Sequence, residues 1–136
     1  MRKAPAGILM GIALGVAAAA ESRGSDAAVA RQSPLQTEKI VGDASKPGLH
    51  IVRQHLPAGG LVRPHFHSVD RHIAVLSGVL YVCNSATVSV DAAAAHKAGD
   101  VFSEPAKSVH CSWAKDGDVD YLEMGMGPVV TTPVEK

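Results

Sequence analysis

Seven histidines stand in this chain of 136 residues, and two of them, His65 and His67, flank Phe66. On a strand, successive side chains leave opposite faces, so a His-x-His pair presents both imidazoles on one side. Two neutral imidazoles converging from one strand form half of a site for iron, zinc, copper, nickel or manganese. Pro64, directly before them, restricts the backbone there. An isolated His-x-His also arises by chance on solvent-facing edges, so its meaning rests on its surroundings.

Such a pair needs strands to hold it. From Lys39 onward the chain consists of short apolar runs separated by turn residues. The pattern predicts strands over residues 39–41, 49–56, 61–67, 72–76, 79–83, 87–90, 101–104, 109–113 and 119–124. Pro47-Gly48, Pro57-Ala58-Gly59-Gly60, Ser77-Gly78, Gly99-Asp100 and Asp116-Gly117-Asp118 punctuate them. Many short strands at close spacing, with Gly and Pro turns, indicate an all-β sandwich or small barrel. Residues 91–97 are alanine-rich, but so short a run reads as a loop or single turn rather than a helix. No internal repeat, phosphate-cradling glycine loop or serine nucleophile elbow is visible.

Gly59 precedes His65 by six positions, Gly78 follows, and Gly99, Pro105 and His110 come later. This order resembles the two motifs of the cupin superfamily, G-x5-H-x-H-x3-4-E-x6-G and G-x5-P-x-G-x2-H-x3-N. Gly59, His65, His67 and Gly78 fall on the first motif, and Gly99, Pro105 and His110 on the second. The likeness runs over about residues 38–126. Asp70-Arg71, the Val-Leu-Ser-Gly turn and Gly125-Met-Gly-Pro also resemble a group of exported single-domain bacterial cupins. The resemblance implies a small jelly-roll β-barrel with a divalent transition metal on His65, His67 and His110. Iron is expected first, with manganese, nickel, copper and zinc as alternatives. It also implies that a homodimer is a plausible assembly.

The motif's glutamate does not carry over, because Arg71 holds its place; Lys107 and Ala114 replace the second motif's glycine and asparagine. Two unit charges 6 Å apart at an effective dielectric of about 20 repel by roughly 3 kcal/mol. Arg71 must therefore point away, pair with Asp70 or Glu104, or sit beside an anion. Besides a degenerate cupin whose barrel no longer holds metal, two functions stand open. In one, a three-histidine centre carries out dioxygenase-type oxidation of a small anionic or chelating substrate, with Arg71 as the catalytic clamp on its charge. In the other, the chain is a non-catalytic module binding a metal or small ligand. Glu104 and His72 both stand open as replacements for the missing carboxylate, although alternation puts His72 on the face opposite Arg71. His50, His55 and His96 have no partner pattern and read as surface histidines.

The remaining sequence bounds the setting. Arg2 and Lys3 precede an uncharged run from Ile8 to Ala20, the pattern of a secretory signal peptide over residues 1–20. A flexible leader is expected over residues 21–37 and a single domain over residues 38–136. The expected location is the periplasm or the exterior, with no membrane attachment after cleavage. Removing Arg2 and Lys3 from the 13 basic residues leaves 11 against 13 acidic ones. That balance, with 4% aromatic residues, argues against a nucleic-acid partner and for a small-molecule one. In an oxidising compartment Cys83 and Cys111 are free to pair. Sequence does not bring their Cα atoms within range, and two buried thiols are an equal reading.

Overall fold

A computed structural model describes residues 35–89 and 91–134. The expected signal peptide, and the leader up to residue 34, lie outside the described residues. The described chain forms ten strands: β1 (Gln36–Val41), β2 (Gly48–Leu56), β3 (Leu61–His67), β4 (Arg71–Ser77), β5 (Val79–Cys83), β6 (Ala94–Lys97), β7 (Val101–Glu104), β8 (His110–Trp113), β9 (Val119–Gly127) and β10 (Thr131–Pro133). They pair antiparallel in two five-stranded sheets, β1-β2-β9-β4-β7 and β10-β3-β8-β5-β6. No helix occurs among the described residues. This is the jelly-roll arrangement.

Alternation sorts each strand between the inside and the outside. On β2, His50, Val52, Gln54 and Leu56 are buried while Leu49 and Arg53 are exposed. On β9, Val119, Tyr121, Glu123 and Gly125 are buried in the same way. The apolar core sits at one end of the space between the sheets, where Leu56, Ile73, Val75, Leu80, Val82, Val119 and Tyr121 meet. Gly78 turns β4 into β5 at φ +76°, and a Cβ there would stand 2.3 Å from the Asp118 carbonyl oxygen. Only glycine fits that turn.

Several local expectations change. Residues 87–89 form no strand, whereas Ala94–Lys97 does, because it pairs with β5 from Val79↔Lys97 to Val82↔Ala94. Alanine's weak strand preference is overridden by that partner edge. The first strand starts ahead of the expected 39–41: Leu35 packs on the core, and Thr37 donates to Gln54 Oε1 at 2.5 Å. Cys83 and Cys111 are register partners on β5 and β8 with Cα atoms 5.1 Å apart, and they form a disulfide.

Candidate metal centre

Beside the apolar core, where Leu35, Val62 and Tyr121 border both, the interior becomes polar. His65 and His67 reach it from β3, and His110 reaches it from β8 as the direct register partner of His65. The ring centroids of His65 and His110 are 4.4 Å apart, and those of His65 and His67 4.8 Å. One ligand nitrogen from each of the three lies within 4.8 Å of the others.

A β-bulge makes this possible. Val62 pairs with Ser112 and His65 with His110, so three steps along β3 match two along β8. Val62 packs on the core, and strict alternation from it would send His65 outward. The extra residue at Arg63–Pro64 resets the phase and turns the His-x-His pair inward, which is a recurrent use of bulges beside functional sites.

Each ring is held by one nitrogen. His65 Nδ1 lies 2.7 Å from the Arg63 carbonyl oxygen, and His110 Nδ1 lies 3.0 Å from that of Ser108. A carbonyl only accepts, so each Nδ1 carries the proton and each Nε2 keeps a free lone pair. His67 Nδ1 lies 3.0 Å from Thr131 Oγ1 of β10, and its buried Nε2 has no hydrogen-bond partner. A buried imidazole nitrogen without a partner, beside two rings fixed in the same tautomer, fits a metal ion: outer hydrogen bonds orient histidine ligands in this way. Burial, and then the nearby positive Arg71, push the pKa of His67 down to about 3. Burial also lowers that of His65, against the pull of its carbonyl partner. Both rings are thereby kept neutral, the form that binds metal.

The first sheet faces the triad with charges. Arg71 is buried and points inward; Nη1 donates to Glu123 Oε2 at 2.8 Å and Nη2 to Glu104 Oε2 at 3.1 Å. Gln54 Nε2 donates to Glu123 Oε2 at 3.1 Å. Glu104 Oε2 also lies 3.3 Å from His110 Nε2. Tyr121 is buried here, and its phenol is held well above the usual range, first by burial and then by Glu123 and Glu104. Gly125, between His50 and Arg71 in the register, leaves room for both: a Cβ would come 3.1 Å from His50 Cε1. Arg71, Glu104, Glu123, Gln54, Tyr121 and the three histidines border a cavity of about 190 Å³.

Sequence reasoning brought His65, His67, His110 and Arg71 to one place, and the Arg71–Glu104 pairing was one of its options. His72 is exposed on the opposite face and bonds Ser103 Oγ at 2.8 Å, so it does not reach the site. His50 is no surface residue; only 2% of it is exposed, because alternation on β2 turns it inward. His55 is half-buried beside Asp120, and His96 stacks on Phe102 at 3.8 Å. Glu123 and Gln54 were missed. A single carboxylate in the inward series Val119, Tyr121, Glu123 was the available signal.

No protein-family model matches the chain, and no curated protein does. Solved structures do. The chain is similar to a conserved protein with a double-stranded β-helix domain from Klebsiella pneumoniae, with TM-score 0.60 and 19% identity over 85% of this chain and all (100%) of that one. A cupin-like protein from Thermotoga maritima matches with TM-score 0.60 and 17% identity over 74% of this chain and 77% of that one. The fold is that of the cupins. The cupin fold is shared, too, by a variant of salicylate 1,2-dioxygenase from Pseudoaminobacter salicylatoxidans in complex with gentisate, with TM-score 0.60 and 16% identity. That match covers 72% of this chain and 28% of the enzyme.

Proposed function

We propose that this chain is an exported metal-binding cupin in which His65, His67 and His110 hold a divalent transition metal, iron first among the candidates. The observation that carries the reading is the convergence of one ligand nitrogen from each of three histidines, with Nδ1 of His65 and of His110 engaged by backbone carbonyls and His67 Nε2 buried without a partner. When bound, the ion would supply Lewis acidity and open positions for a small chelating anion and dioxygen. The chemistry favoured is dioxygenase-type oxidation, in line with the dioxygenase among the structures that share the fold. The cavity of about 190 Å³ is below the roughly 300–1,000 Å³ of sites for drug-sized ligands, which points to a small substrate. The disulfide supports export to an oxidising compartment. A homodimer is the proposed assembly, and the outer face of the first sheet, with Leu49, Met126 and Val101 exposed, offers it a surface.

For Arg71 we infer a part other than the clamp on substrate expected of it. Its two terminal nitrogens are engaged by Glu123 and Glu104, so it positions carboxylates. This engagement favours a second reading, a metal-binding module without turnover. Metal analysis of protein purified without an affinity tag tests the centre. Stoichiometric metal, lost in His65→Ala/His67→Ala, is expected; a metal-free wild type after both aerobic and anaerobic purification overturns it. Oxygen uptake with β-diketones, thiols and phenolic acids then separates oxidation from simple binding.

A further inference from the structure

We propose that Glu104 is a fourth protein ligand of the metal centre, a carboxylate supplied by β7 in place of the one the motif puts on β4. The inference rests on the three-histidine reading above and adds a ligand to it. Register is the first support. Arg71 and Glu104 are direct Cα partners across β4 and β7, so their side chains leave the sheet on the same face. The carboxylate has moved one strand sideways and still points into the barrel.

The second support is a pair of facing acceptors. His110 Nδ1 donates to the Ser108 carbonyl, so in the neutral ring, the form that binds metal, the lone pair is on Nε2. Glu104 Oε2 stands 3.3 Å from that nitrogen. A lone pair and a carboxylate oxygen at this distance repel unless a cation lies against both. Adjacent ligands on bonds of about 2.1 Å lie roughly 3.0–3.4 Å apart in octahedral or tetrahedral geometry, so the observed spacing suits a shared ion.

Charge is the third. Arg71 bridges both Glu104 and Glu123, so the buried trio keeps a single net negative charge. A divalent ion would then leave the site at a net charge of about +1, the value that a three-histidine, one-glutamate set produces. Arg71 thus acts as a positioning residue. Anchored on Glu123 at 2.8 Å, it holds Glu104 Oε2 at 3.1 Å, close to His110.

The test titrates the full chain, purified without an affinity tag and stripped of metal, with Co2+ by calorimetry and visible absorption. Glu104→Gln keeps the size and an oxygen for Arg71 but loses the charge. It is expected to weaken Co2+ binding by more than the roughly 10–100-fold that loss of an outer-shell partner costs, and to move the ligand-field bands. Glu104→Asp, with the charge on a shorter arm, is expected to recover part of the affinity with shifted bands. Melting curves of the metal-free variants report folding. If Glu104→Gln does not fold, Glu104→Asp decides, and wild-type affinity with unmoved bands overturns the proposal. A Glu104→Gln loss of 100-fold or less with an unchanged spectrum also overturns it, while leaving the histidine triad in place if His65→Ala/His67→Ala abolishes binding. No Co2+ binding by the wild type removes both readings.

Discussion

The two sheets bring different chemistry to the same cavity. The second sheet provides His65, His67 and His110, three rings fixed through Nδ1, of which burial holds His65 and His67 neutral. The first provides Arg71, Glu104 and Glu123, a charged trio tied together by bonds of 2.8–3.3 Å. One sheet therefore presents donors whose orientation is set before any ion arrives. The other sets the electrostatic potential that an ion meets. Orientation and charge are usually entangled in a metal site; here the strand order separates them, so each can be perturbed from its own side.

The largest effect is expected from the charged side. Arg71→Met leaves Glu104 and Glu123 buried together without their cation, and breaking a buried ion pair from one side costs about 3–5 kcal/mol. Urea unfolding of the metal-free protein should show that loss. Saturating Co2+ should restore more stability to the variant than to the wild type, because the ion replaces some of the missing charge. Equal gains would show that the trio and the triad are electrically independent.

A perturbation of the neutral side is expected to be smaller and to spare the fold. Thr131→Val removes the partner of His67 Nδ1, 3.0 Å away, and should weaken metal binding by about 10–100-fold in calorimetric titration. Thr131 is exposed on its strand, so the melting temperature of the metal-free form should barely move. A large stability loss would mean that the ring's orientation and the packing are not separable.

A third expected effect is on pH. His67 titrates near 3 in the folded chain and near its ordinary 6.5 when unfolded. Between those values the unfolded chain binds more protons, so the stability of the metal-free protein should fall as pH drops from about 6.5 toward 3. Above 6.5 this contribution is constant. His67→Gln should flatten the slope in that window, as read from urea midpoints at several pH values. An unchanged slope would assign the titration elsewhere.

Much of this was legible beforehand, for identifiable reasons. Strands such as Leu61–His67 and Val101–Glu104 were marked by turn residues on both sides. The His65–His67 pair was legible because strand alternation acts over two residues, and His110 because the cupin motifs it resembles tie it to them. Ala94–Lys97 was not, since its strand state comes from pairing with β5 rather than from its own side chains. Glu123 escaped for a related reason: its importance lies in Arg71, 52 positions earlier, which becomes its neighbour only through the pairing of β4 with β9. His50 reads as polar by type and is buried only because of its phase on β2.

The bulge at Arg63–Pro64 has a further consequence. It works as a frame shift within a single strand, so that the part of β3 serving the apolar core and the part carrying the histidines obey different reading frames. If residues 62–67 instead paired without the bulge, at full length, both His65 and His67 would turn to the outside while Val62 stayed in place. The core would keep its instructions and the site would lose all of its own.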